Sequence, residues 1–130
     1  MVNIKAISKG YYMNERPKTI FLDIDGTILY HYGTLQEQLL ESPKMLPGVK
    51  EKLHEWDRKG YYIVLTTGRR ECSRKQTKKQ LADLGIFYNQ LIMDITGGTR
   101  VIVNDRKSDG TITAGALCPI RNAGIKDLEI

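Results

Sequence analysis

The run Thr19-Ile20-Phe21-Leu22 stops abruptly at Asp23-Ile24-Asp25-Gly26-Thr27. A short apolar run closed by turn residues reads as a strand buried in a parallel sheet, and the switch to carboxylates marks where that strand leaves the sheet. In open α/β sheets the crevice beyond the carboxyl ends of the strands is where ligands bind. Asp23 and Asp25 lie two residues apart, so their side chains share one side while the backbone stays extended.

The pattern then alternates. Pro47-Gly48 opens a helix with Val49, Leu53 and Trp56 on one apolar face, and Gly60 closes it. Tyr61-Tyr62-Ile63-Val64-Leu65-Thr66 is a second buried strand ending in Thr67, Gly68 and Arg69. A polar helix is expected over about residues 70 to 84, with Leu81 and Leu84 inward and Gly85 as its stop. Its outer face carries Arg74, Lys75, Lys78 and Lys79, a pattern that suits a solvated surface as well as a polyanion track. Leu91-Ile92-Met93 reads as a third strand, Arg100-Val101-Ile102-Val103-Asn104 as a fourth, and residues 111 to 117 as an edge strand.

Strands alternating with helices imply an α/β fold, a three-layer Rossmann-like parallel sheet with helices on both faces and right-handed crossovers. Its polar strand ends would share one rim. Residues 1 to 17 read as an N-terminal arm and residues 119 to 130 as a C-terminal tail of one 130-residue domain. Ile28 to Thr34 has the character of a strand-like flap beside that rim, with Tyr30, His31 and Tyr32 either packing or touching substrate.

Hydrophobic residues at 41% and charged residues at 27% belong to a globular chain and not a disordered one. No apolar run approaches the roughly 20 residues of a membrane span, and the amino terminus has no signal-like segment, which points to a cytoplasmic protein. Cys72 and Cys118 are too few for a disulfide framework. A net charge of +5 favours anionic partners without choosing among phosphate esters, nucleic acid and anionic lipid.

Asp23-Ile24-Asp25-Gly26-Thr27 resembles the first motif of the haloacid dehalogenase superfamily. That resemblance implies Asp23 as the nucleophile that takes a phosphoryl group and Asp25 as general acid and then base. A carboxylate nucleophile splits a hard hydrolysis into two easier steps. Thr67-Gly68-Arg69 resembles the second motif, in which the hydroxyl and nearby amides hold the phosphoryl group; Gly68 permits close approach and Arg69 has a fork that matches phosphate oxygens. Thr66 is the alternative hydroxyl. Asn104-Asp105-Arg106-Lys107-Ser108-Asp109 resembles the fourth motif, with Asn104 in place of a Gly.

The resemblance then implies Mg²⁺ held by Asp23, Asp25, Asp105 and Asp109, with Asp25 contributing its main-chain oxygen. Four carboxylates converging on one pocket call for a cation between them. The third-motif Lys has no counterpart in the loop 94–99. Arg100, Lys78, Lys79 and Lys107 are its candidate replacements, Lys107 being preferred. The segments between motifs are too short for a separate cap domain, so the resemblance is to a capless member closed by a flap, a large substrate or a second subunit of a homo-oligomer.

The expected function is a Mg²⁺-dependent phosphomonoester hydrolase acting through an aspartyl-phosphate on a sugar phosphate or similar small metabolite. A polynucleotide end phosphatase and a non-catalytic binding module of the same fold are the alternatives.

Overall fold

The computed structural model describes residues 16–130. The expected N-terminal arm falls almost wholly outside them. Three strands, β1 (Thr19–Asp23), β2 (Tyr62–Thr66) and β3 (Gln90–Ile92), form a parallel sheet in the order β1-β2-β3. Helix α1 (Leu35–Leu40) and helix α2 (Val49–Arg58) lie between β1 and β2, and helix α3 (Arg74–Asp83), entered through a single 3₁₀ turn at Glu71–Ser73, lies between β2 and β3. This is an α/β, Rossmann-like arrangement, and no separate cap domain occurs among the described residues.

The register of the sheet decides which residues are buried. Ile20 and Leu22 of β1 and Ile63 and Leu65 of β2 point to one face, where they join Val49, Leu53 and Trp56 of α2 and Leu81 of α3 in one apolar cluster. Gly48, with φ +83°, starts α2 in the left-handed conformation, and Gly60 (φ +73°) follows its end. The other face carries Phe21, Val64 and Ile92, and there Phe21 remains 56% exposed. That face is partly open among the described elements.

Three parts of the chain depart from the sequence expectation. The stretch 28–34 is not a strand-like flap: after an isolated bridge from Leu29 to Met45 the chain loops into α1, which Thr34 caps by accepting a hydrogen bond from the Glu37 amide at 3.1 Å. The C-terminal tail, in which the sequence shows no burial pattern, packs into the domain. Ile125, Leu128 and Ile130 are buried in the core, and the Ile125 amide donates to the Pro47 carbonyl at 2.9 Å.

The third departure is the absence of strands over 100–104 and 111–117. The residues 93–99 are all that separate β3 from the expected fourth strand, whereas a parallel crossover needs about a dozen or more. Instead the segment makes a hairpin-like excursion: the Lys107 amide donates to the Thr111 carbonyl at 3.1 Å, the Gly110 amide to the Lys107 carbonyl at 2.9 Å, and the Asn104 side-chain amide to Thr113 Oγ1 at 2.6 Å. Val101 and Val103 are 78% and 93% exposed.

The C-terminal latch is tight enough to test. A Cβ at Gly124, whose φ is +86°, would stand 2.3 Å from the Pro47 carbonyl oxygen. Gly124→Ala should destabilise the fold by more than about 1 kcal/mol, because both the backbone conformation and the space exclude a side chain. Equilibrium urea unfolding measures this, and an unchanged midpoint would mean that the latch contributes nothing.

Candidate active site

The rim at the carboxyl ends of the strands is built by a tight turn. The amides of Thr27, Ile28 and Leu29 all donate to the Ile24 carbonyl at 3.2, 2.9 and 3.0 Å, and Gly26 adopts φ +91°. This coil brings Thr27 back over Asp23, so that the Thr27 hydroxyl donates to Asp23 Oδ2 at 3.0 Å. The carboxyl-terminal segment fixes the turn from outside: the Asn122 amide donates to the Gly26 carbonyl at 2.8 Å, and Asn122 Oδ1 accepts from the His31 amide at 2.7 Å.

Burial holds the Asp23 carboxyl above the ordinary aspartate value. The Thr27 hydroxyl, the positive charge of Arg100 and the Ile24 amide draw it down, and neighbouring Asp25 pushes it up. Among the described residues Arg100 is a cation whose charge reaches the carboxylate. Lys107, the residue preferred from sequence, acts on Asp109 in the exposed excursion instead.

Asp25 is clamped. Arg69 Nε donates to its Oδ2 and Arg69 Nη2 to its Oδ1, both at 2.8 Å, and Gln38 Nε2 donates to Oδ1 at 2.7 Å. The third nitrogen of the guanidinium, Nη1, donates to Thr77 Oγ1 at 3.1 Å and Gln80 Oε1 at 2.6 Å. Gln80 Nε2 in turn donates to the Gln38 carbonyl at 2.9 Å, tying α3 to α1. Arg69 is only 1% exposed. A two-pronged guanidinium–carboxylate contact fixes geometry as well as charge, so the structure gives Arg69 a partner in Asp25 rather than the open fork expected for phosphate.

The two candidate hydroxyls, Thr66 and Thr67, have different surroundings. Thr66 pairs in register with Asp23, which places their side chains on the same face of adjacent strands. Thr67 is 1% exposed, and its Oγ1 accepts from the Arg69 amide at 3.1 Å. At Gly68, expected to let the backbone approach a ligand, the close neighbour is the chain itself: a Cβ there would come within 2.9 Å of the Ile95 carbonyl oxygen.

Of the four expected metal ligands the structure brings together Asp23 and Asp25. Asp105 and Asp109 lie in the excursion, where the Asp105 carbonyl accepts from the Thr113 hydroxyl and Asp109 Oδ1 accepts from the Thr111 amide at 2.9 Å. Among the described residues no three of His, Cys, Asp and Glu are grouped so as to hold a metal ion. The clamp occupies the Asp25 carboxylate and leaves its main-chain oxygen, the atom that the resemblance implies as a ligand, so one copy brings together the Asp23 carboxylate and that carbonyl, only part of the implied Mg²⁺ set, while Asp105 and Asp109 lie in the excursion.

Gln38, Thr77, Gln80 and Asn122 escaped the sequence analysis. Thr77 stands four positions before Leu81 and Gln80 four before Leu84, the two leucines expected inward, and that spacing was the available signal. Nothing in the periodicity marked Gln38 or Asn122, whose contacts with Asp25 and His31 span 13 and 91 positions.

No protein-family model matches the sequence, and no curated protein matches it. The fold has solved counterparts. A chain of the Pnkp1/Rnl/Hen1 complex is similar with a TM-score of 0.55 and 25% identity, over 71% of this chain and 33% of that one. A chain of the Pnkp1/Rnl/Hen1 RNA repair complex gives a TM-score of 0.53 and 22% identity, over 78% and 32% of the two chains. The protein thus spans about a third of the length of these neighbours.

Proposed function

We propose that the chain hydrolyses a terminal phosphomonoester of a polynucleotide, with Asp23 as the nucleophile. The observation that carries this reading is Asp23 itself, a half-buried carboxylate at the tip of β1, oriented by Thr27 and within reach of the Arg100 charge. Such a tip is where an α/β sheet binds its ligand, and the arrangement agrees with the resemblance of residues 23–27 to haloacid dehalogenase phosphatases. The solved counterparts in an RNA repair complex favour a polynucleotide end over a small sugar phosphate. The net charge of +5 and the exposed Lys75 and Lys78 of α3 suit the same anionic partner.

In the first step a carboxylate oxygen of Asp23 bonds to phosphorus while the bond from phosphorus to the leaving hydroxyl oxygen breaks, and that oxygen takes up a proton. In the second, water attacks phosphorus, the bond to Asp23 breaks, and inorganic phosphate leaves with the carboxylate restored. Asp25 is placed to accept the proton of the attacking water, since Oδ2 accepts a single hydrogen bond, from Arg69 Nε, and keeps a lone pair. Donating a proton to the leaving oxygen requires one of its contacts with Arg69 or Gln38 to give way. Arg100 is the cation suited to the phosphoryl oxygens.

The test is phosphate release from single-stranded oligonucleotides bearing a terminal phosphate, run beside a panel of sugar phosphates over a range of salt. Preference for the oligonucleotide, with kcat/KM falling steeply as salt rises, is expected. Hydrolysis of the sugar phosphates alone, indifferent to salt, would return the substrate to the small-metabolite class.

A further inference from the structure

Among the described residues two features each lack a strand partner. The outer edge of β1 pairs with no strand among the described residues, because the sheet order places β1 at the end. Phe21 on that strand stays 56% exposed. The other feature is the run Val101-Ile102-Val103, 78%, 54% and 93% exposed, in extended chain that belongs to no sheet. β-Branched residues carried bare in water are a poor solution for a monomer and a good one for strand addition.

The same chain does not join these two features to each other. The backbone after β3 is held over the end of β2, where the Asp94 amide donates to the Arg69 carbonyl at 2.8 Å and the Ile95 amide to the Thr67 carbonyl at 3.1 Å. Arg100 then stands close enough to the tip of β1 for its charge to act on Asp23. The residues 93–99 that lead from β3 to Arg100 are fewer than the dozen or so that a parallel crossover takes, so the run 101–103 does not return in parallel beside its own β1.

We propose that the arm 100–113 pairs with a second copy of this chain, adding Val101–Val103 in parallel to the free edge of β1 and bringing Asp105 beside Asp23 of that copy. With Val103 opposite Phe21, Val101 falls opposite Thr19 and Asp105 opposite Asp23. Side chains of those six residues then share one face, and Ile102 turns to the core side beside Ile20 and Leu22. Phe21 and Val103 cover each other. Charge agrees as well: Arg106 and Lys107 at the arm's turn arrive at a rim that carries Asp23 and Asp25. Each copy has one arm and one edge, so reciprocal exchange about a two-fold axis leaves neither unmatched. It also answers the incomplete acidic set of a single copy, the one point at which the inference rests on the proposed function.

A cross-linking experiment separates exchange from self-pairing without any activity assay. In a Cys72→Ser/Cys118→Ser background, which removes both exposed thiols, isotopically light chains carrying Phe21→Cys are mixed with heavy chains carrying Val103→Cys and treated with a short bis-maleimide. Exchange yields a light–heavy covalent pair and a dimer mass by light scattering. A monomer mass with no mixed product, or a link formed within one chain carrying both cysteines, would overturn the proposal. So would an arm in monomers that is protected from proteolysis only when single-stranded RNA is added, since the arm would then be a nucleic-acid surface. Where phosphatase activity is present, mixing Asp23→Asn with Asp105→Asn chains should restore up to about a quarter of the wild-type rate, because the hybrid dimer holds one intact site; self-contained sites would restore none.

Discussion

Asp23→Asn is expected to abolish phosphate release, by at least about 10⁴-fold in kcat, while leaving the protein folded and more stable at neutral pH. The loss follows from the chemistry, since an amide oxygen does not form the covalent intermediate and nucleophile deletions rank among the largest single effects in enzymes. The gain follows from linkage. Burial raises the Asp23 carboxyl above its ordinary value of 3.8, so the folded state binds a proton there more tightly than the unfolded chain does. The contribution favours folding below about that ordinary value and is lost as pH rises through the raised one. At pH 7 the wild-type protein therefore carries a strained carboxylate that Asn does not reproduce. Thermal unfolding across pH reads it directly: the stabilisation of Asp23→Asn over wild type should shrink as the solution is acidified. A folded variant that still turns over would remove Asp23 from the nucleophile's place, and a variant less stable than wild type at pH 7 would contradict the linkage argument.

Arg69→Ala should cost about 3–5 kcal/mol of stability, the largest effect expected of any single substitution in the site. It leaves the Asp25 carboxylate, 14% exposed, without its guanidinium in a largely dry environment. It also strips Thr77 and Gln80 of their donor. Because the penalty lies in the uncompensated partner, the double substitution Asp25→Leu/Arg69→Met should lose clearly less than the sum of the two single changes. The sequence expectation, an Arg that binds substrate phosphate, leads to another outcome: a raised KM with the unfolding midpoint unchanged. Urea titrations of the two single variants and the pair decide between them.

What the sequence disclosed and what it hid differ in kind. β1, α2, β2 and α3 follow from local patterns: an apolar run stopped by carboxylates, the Val49, Leu53 and Trp56 spacing, and glycines at the ends of α2. Asp23 at a strand tip was legible for the same reason. The clamp on Asp25 was not. It joins positions 38, 69, 77 and 80, and a Gln in a six-residue helix has no periodic signature that separates it from a solvated one. The buried carboxyl terminus was hidden because Ile125, Leu128 and Ile130 sit among turns, where burial comes from docking into the core and not from a regular element with a periodic signature. The run at 101–103 has every local mark of a strand, yet it pairs with no strand among the described residues, since strand identity is settled by pairing and not by composition.

The central claim is that a phosphoryl group passes onto the carboxylate of Asp23. Acid-quenching the protein milliseconds after mixing with a ³²P end-labelled oligonucleotide, then mapping the label by peptide digestion and mass spectrometry, tests it most directly. The expected result is an acid-stable, base-labile label on the peptide containing residues 19–44, absent from Asp23→Asn. Turnover with no protein-bound label at any quench time, or a label on a peptide that lacks residue 23, would contradict the account.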